Sequence, residues 1–331
     1  MNPLKRLALL ALCLPAAAQA ECRGANLFTA LPPAEQAEIR AATDAAPFAR
    51  GLLWQATRGD ESITLLGTYH FDDPRHDAIM ARVTPLLDAA TTLLVEAGPA
   101  EEAALKSDLA KNPALMVSTN GPTLPESLPA KEWEALSAAM NARGMPAFMA
   151  AKLRPWYVTM LLALPPCAMA DQAALASGGL DQRLIRHATD RALPVAALEP
   201  HDTVLRMFDT MPPADQLAMI RSALATEAQA EDYSATLATA YFDEDARLIW
   251  ELSRHLALKL PDYGPEQVAR DFDAMETALM TSRNRAWSPV LQAAGAKGPV
   301  FAAFGALHLS GENGVLALLQ ADGWKIERLP L

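Results

Sequence analysis

The sequence predicts an α/β protein: a mixed, mainly parallel central sheet covered by helices, with a large helical insertion. Three observations predict it. Short apolar runs of strand length recur along the chain and alternate with stretches whose apolar residues follow helical spacing, the pattern of parallel strands joined by crossover helices. The exception comes first: two such runs flank Gly59-Asp60, which reads as a hairpin and so as an antiparallel pair within the sheet. From about residue 100 to 190 helical patterns follow one another with no strand between them, which makes that stretch a cap or an embedded insertion.

Residues 1–20, MNPLKRLALLALCLPAAAQA, read as a cleavable secretory signal. Lys5 and Arg6 form the positive start. Leu7 to Leu14 form an apolar run too short to span a bilayer, Pro15 breaks it, and Ala18-Gln19-Ala20 supplies the small-x-small site for cleavage before Glu21. Leu12 before Cys13 and Glu21 before Cys22 are not the small residues that lipid attachment requires. The expected domain is therefore residues 21–331, in the periplasm or secreted.

Residues 26–50 show the spacing of a short amphipathic helix with Pro32 and Pro33 at its start. The hairpin strands are Gly51 to Thr57 and Ser62 to Leu66. Residues 77–90 carry Ile79, Val83, Leu86 and Leu87 on one helical face, and Thr91 to Val95 reads as a buried strand ending at Glu96. After the insertion, Pro194 to Leu198 is a strand ending at Glu199. Helical patterns fill 203–260 and 265–294, Pro299 to Phe304 is a buried strand, Val315 to Gln320 a helix, and Trp324 to Leu329 the last strand.

The formal charge is −11, and loss of Lys5 and Arg6 with the signal makes it two units more negative. A chain this acidic, without a basic stripe, is no partner for nucleic acid or for anionic lipid surfaces. The apolar run Val158 to Met169 is interrupted by Pro165-Pro166, so no integral membrane association is expected. Cys22 and Cys167 remain after cleavage. In an exported protein such a pair invites a disulfide, and two cysteines are too few for a zinc ribbon.

Four polar residues follow the carboxyl ends of predicted strands, where α/β sheets form their ligand crevice: His70, Glu96, Glu199 and His308. Two of them share a motif, Gly67-Thr68-Tyr69-His70 and Gly305-Ala306-Leu307-His308. Glycine would let the chain turn sharply out of the sheet and send the histidine back over the strand ends. Two imidazoles and the Glu96 carboxylate converging there would make a divalent metal site with open positions; zinc, manganese, cobalt and iron all suit such donors. Glu199 is followed by Pro200 and His201, the composition of a structured turn. His76, His187, His201 and His255 lack the strand-end context and read as surface or core histidines, although His76, like Asp73, lies close enough after His70 to line the crevice. By spacing, Arg283 and Trp287 share a face of the helix over 278–293, and without further information that face is solvated. No Gly-x-Ser-x-Gly elbow, Walker loop or Gly-x-Gly-x-x-Gly after a strand is present.

From Trp54 onward the chain resembles the TraB/PrgY/GumN family, which includes the animal Tiki proteins. The resemblance rests on Leu65 to His70, Val95-Glu96, Leu153-Arg154-Pro155-Trp156, Gly179-Leu180-Asp181, Leu198-Glu199, Arg283-Asn284 through Trp287, and Gly305 to His308 with Gly311 and Gly314. Tyr69 and Leu180 stand where an aliphatic residue and valine are common. The resemblance implies an erythromycin-esterase/ChaN-like fold and a metal-dependent hydrolase. His70, Glu96, Arg283 and His308 fall on the positions the family uses, which draws Arg283 into the site. The expected activity is cleavage of a peptide, or of a small amide or ester substrate. In that reading His70, His308 and Glu96 hold the metal, Glu199 or Glu96 is the base, Arg283 steadies the oxyanion, and Tyr69, Asp73 and Asn284 touch substrate. The alternative is a family member that captures a peptide or signal without cleaving it.

Overall fold

A computed structural model describes residues 24–170, 177–260 and 263–331. The expected signal segment and Cys22 lie outside the described residues, so the Cys22–Cys167 pairing does too; Cys167 itself is disulfide-bonded.

Among the described residues six strands form one sheet: β1 (Leu53–Arg58), β2 (Glu61–Thr68), β3 (Thr92–Val95), β4 (Val195–Ala197), β5 (Val300–Gly305) and β6 (Lys325–Arg328), in the order β4-β3-β5-β2-β1-β6. β4, β3, β5 and β2 run parallel, and only β1 opposes its neighbours. The reason is the two-residue connection Gly59-Asp60, with Gly59 at φ 58, which folds β2 straight back on β1 and pairs Arg58 with Glu61.

Both faces of the sheet are covered, as strands without polar alternation require. Leu53, Leu66, Leu93, Val95, Phe301 and Ala303 meet helices His76–Asp88 and Leu180–Asp190 on one face. Their neighbours in sequence, Trp54, Leu65, Leu94, Ala302 and Phe304, meet helices Ser282–Gly295 and Val315–Ala321 on the other. Each fully buried leucine or phenylalanine here contributes roughly 1.5–3 kcal/mol.

The predicted helix over 26–50 is two helices, Leu27–Ala30 and Pro33–Ala45, because Pro32 and Pro33 can open a helix but not continue one. The inserted helices build a core of their own, with Leu124, Leu136, Met140, Val158 and Leu162 packed around Ile220 of helix Pro213–Ala225. Among the described residues no helix is long and apolar enough to cross a membrane.

Register sets the position of the site. Leu66 pairs with Ala303, Ala303 with Val95, and Val95 with Ala197, so the four parallel strands end in one row. Whatever follows those ends is delivered to one edge of the sheet.

Candidate functional site at the strand ends

Arg283 lies at the centre of that edge. Its Nε donates to Glu199 Oε2 at 2.9 Å, and its Nη2 donates to Glu199 Oε1 at 2.6 Å and to Glu96 Oε2 at 2.5 Å. Trp287, one helical turn on, donates its indole N–H to Glu199 Oε2 at 2.9 Å and lies under the guanidinium, 4.8 Å from the ring centre. The face predicted to be solvated therefore points inward: Arg283 and Trp287 clamp Glu199 together. The helix reaches this position through a π-helical stretch, Thr277–Thr281, directly before Ser282–Gly295. Such a stretch shifts the phase of the face that follows, which sequence spacing alone does not reveal.

Glu96 spends its other oxygen on the sheet. Gly305 donates its backbone N–H to Oε1 at 2.7 Å, which ties the end of β3 to the end of β5. Burial alone would raise the Glu96 carboxyl, but His308, Arg283, His70 and the Gly305 N–H together lower it to about 2, so it is ionised at neutral pH.

The two histidines stand on either side. His308 ends the 3-10 turn Ala306–His308 after β5. Its Nδ1 donates to Asn284 Oδ1 at 2.6 Å, and the amide is oriented by Nδ2 donating to the Asn313 carbonyl at 2.9 Å. That leaves Nε2 as a lone pair, 3.3 Å from Arg283 Nη1 and 4.0 Å from Glu96 Oε1. Burial, aided by Arg283 and His70, lowers His308 to about 4 against the pull of Glu96. His70 directs Nδ1 to Asp181 Oδ2 at 2.8 Å, and Thr68 Oγ1 donates to Asp181 Oδ1 at 2.5 Å. Burial opposes protonation of His70, but its side chain is 59 % accessible and the Asp181 and Glu96 charges prevail, raising it to about 9.

The motif glycines serve a purpose other than the expected sharp turn. Neither Gly67 nor Gly305 has a positive φ, and Gly305 at φ −49 adopts a conformation open to any residue. What Gly305 provides is space: a Cβ there would lie 3.1 Å from His70 Nε2 and 3.3 Å from Glu96 Oε1. Gly179 is needed for a similar reason. A Cβ on it would lie 2.1 Å from the Tyr69 carbonyl oxygen, the atom that accepts the Leu180 N–H at 2.9 Å. That contact seats helix Leu180–Asp190 against the exit of β2 and brings Asp181 to His70.

The structure thus brings together His70, Glu96, Glu199, Arg283 and His308. Asn284 is 1 % exposed and holds His308. Tyr69 and Asp73 do not join the cluster. Tyr69 is stacked on Tyr241 at 5.2 Å inside the core, because the chain leaving β2 alternates sides, and Asp73 pairs with Arg75 at 2.6 Å. His76 is fully buried, and neither ring nitrogen has a hydrogen-bond partner among the described residues. His187, His201 and His255 pair with Asp88, Asp108 and Glu35 elsewhere. Sequence reasoning assigned no role to Asp181. Its signal is an acid one residue inside a helix that opens on glycine, which by itself reads as an ordinary first-turn carboxylate.

The His308 Nε2 lone pair, the ionised Glu96 carboxylate and a His70 Nε2 that would have to give up its proton are donors of the type divalent zinc, manganese, cobalt or iron accepts. Each imidazole is also oriented through Nδ1, as ligand histidines usually are. Yet among the described residues no three His, Cys, Asp or Glu side chains already converge as a ligand set, and the cation between Glu96 and His308 is the Arg283 guanidinium.

No curated protein matches the chain closely enough to serve as a relative. A sequence model of the TraB/PrgY/gumN family matches residues 52–328, which take in all six strands and every residue of the cluster. The chain belongs to the TraB/PrgY/gumN family.

Proposed function

We propose that the protein is an exported, metal-dependent hydrolase of peptide or related amide bonds, with His70, Glu96 and His308 as the metal's donors. The observation that carries the reading is the paired orientation of the imidazoles: Asp181 and Asn284 hold the two Nδ1 atoms, His308 Nε2 lies 4.0 Å from Glu96 Oε1, and His70 Nε2 faces the same space beside Gly305. Export is supported by the composition of residues 1–20 and by the disulfide of Cys167, which belongs to an oxidising compartment.

A bound divalent ion would supply Lewis-acid polarisation of the scissile carbonyl and a more acidic water. The protein's own groups divide the remaining work. Glu96, ionised down to about pH 2, is a donor and charge carrier and a weak proton acceptor. Glu199 is occupied by three N–H groups from Arg283 and Trp287, and so positions the guanidinium rather than acting as base. Arg283 Nη1 is its least engaged nitrogen, with contacts of 3.3 Å to both His308 Nε2 and the Leu279 carbonyl, and is the donor free to turn to an oxyanion.

A second reading, capture of a peptide or signal without turnover, is favoured by the guanidinium already standing where a metal would be expected. Elemental analysis of residues 21–331, made in an oxidising compartment, separates the two. The hydrolase reading expects close to one divalent metal per chain, lost in both His70→Ala and His308→Ala. A folded parent that takes up no metal after reconstitution sinks it and leaves the binding protein.

A further inference from the structure

A cleft of about 1020 Å³ adjoins the Arg283–Glu199 pair. This is the size of a site for a substantial ligand, since small-molecule pockets run to about 300–1,000 Å³. Arg283 and Glu199 belong to its lining, whereas His70, Glu96 and His308 do not, so the cleft meets the strand-end cluster from the guanidinium side. One wall comes from helices Thr203–Thr210 and Pro213–Ala225, the other from the chain between Tyr263 and Val290.

Four methionines, Met207, Met211, Met219 and Met275, contribute to its apolar surface beside Phe272. Unbranched thioether chains re-pack around varied apolar groups, which suits a surface that accepts more than one side chain.

The charge on the walls is one-sided. Among the described residues, Glu199, Asp215, Asp271 and Asp273 line the cleft against Arg206 and Arg283. Both arginines are already engaged, Arg283 by Glu96 and Glu199 and Arg206 by Asp202 at 3.0 Å. Asp271 accepts from Tyr263 and from Gln267. Asp215 and Asp273 are exposed, and their side chains have no hydrogen bond or ion pair among the described residues. The uncompensated charge of the cleft is therefore negative.

We propose that this cleft binds an extended peptide segment that carries large apolar side chains against the methionine wall and a lysine or arginine against Asp215 and Asp273. An acyl lipid would satisfy the methionines, but its carboxylate or phosphate head would meet acids and, among the described residues, no unpaired cation. As the substrate of the strand-end site the segment rests on the hydrolase reading; as a ligand of the cleft it does not.

The test is fluorescence anisotropy on the mature chain at low salt, where exposed charges are least screened. Two fluorescein-labelled peptides share a leucine-rich sequence, one ending in two lysines and the other in two glutamates. The lysine peptide is expected to bind about tenfold more tightly, the size of two favourable exposed pairs. Asp215→Asn with Asp273→Asn, both at exposed positions, should cut that preference to about twofold. Ala218→Trp, which puts an indole into the cleft, should weaken both peptides. Equal binding of the two peptides by the parent, a preference that survives the double variant, or binding untouched by Ala218→Trp each overturns the proposal. Binding of dodecanoate with neither peptide bound makes the cleft an acyl site and overturns it as well. The readout needs neither metal nor turnover, so a protein that binds no metal leaves this result standing, and a protein that binds no peptide leaves the metal result standing.

Discussion

Neighbouring strands β2 and β5 leave the sheet through the same Gly-x-x-His motif, and the two imidazoles act on the charge of the same carboxylate, Glu96, yet their proton affinities shift in opposite directions. His70 rests its Nδ1 on the Asp181 carboxylate, remains open to solvent, and is raised to about 9. His308 rests its Nδ1 on the neutral Asn284 amide, is 7 % accessible, faces Arg283 through Nε2, and is lowered to about 4. The difference teaches that the motif delivers a ring to an address. The partner on the far nitrogen and the nearest fixed charge decide what the ring does there.

The largest way to break the comparison is to remove the cation that both halves share. Arg283→Met leaves Glu96 and Glu199 facing each other with little solvent, since their side chains are 19 % and 10 % accessible. A loss of about 3–5 kcal/mol in urea-unfolding stability is expected, and a loss below about 1 kcal/mol would show that the carboxylates are not held in the dry geometry described.

The comparison sharpens when the second partners are exchanged. Asp181→Asn should bring His70 down from about 9 toward its ordinary value, and Asn284→Asp should lift His308 from about 4. Both shifts can be read by NMR titration of the metal-free protein, and a His70 that titrates unchanged without Asp181 would refute the account.

Stability against pH should differ in sign between the two rings. His70 binds its proton more tightly folded than unfolded, so its contribution is complete below the ordinary histidine pKa of about 6.5 and fades as pH rises through about 9. His308 binds it less tightly when folded, so stability declines as pH falls from about 6.5 toward about 4, and buried His76, also lowered to about 4 by its burial, acts in the same direction. Denaturation series on the parent and Asp181→Asn should therefore converge above about pH 9; a gap of constant size would assign the effect to packing instead.

The smallest effect concerns the aromatic pair below the first exit. Tyr241 donates its buried hydroxyl to the Gly67 carbonyl at 3.0 Å, so Tyr241→Phe should cost about 1 kcal/mol. Tyr69→Phe, which removes a hydroxyl with no such bond among the described residues, should cost less than about 0.5 kcal/mol, both read by urea unfolding.

Most of the sheet was legible because its signals are local. The runs at Leu65-Leu66, Leu93-Leu94-Val95 and Phe301 to Phe304 are apolar at every position, as strands covered on both faces must be, and Gly59-Asp60 marks the hairpin by turn chemistry alone. The strand ends then pointed to His70, Glu96, Glu199 and His308. Arg283 was ambiguous because spacing shows which residues share a helix face and not which way that face turns, and the π-helical stretch before it alters the phase. The positions of Asp181 and Tyr69 were not legible for a related reason. One is carried to the site by a tertiary contact of Gly179, and the other is turned away from it by the alternation of the chain.

The sequence by itself determined the element types, the family and the four strand-end side chains, since period, turn residues and motif spacing are properties of a few consecutive residues. Only the tertiary structure decided which charges meet. Glu96 and Arg283 are 187 residues apart and become partners at 2.5 Å only when β3 and helix Ser282–Gly295 pack on the same sheet. The strength of such a pair, and the proton each histidine holds, depend on how much water that packing excludes.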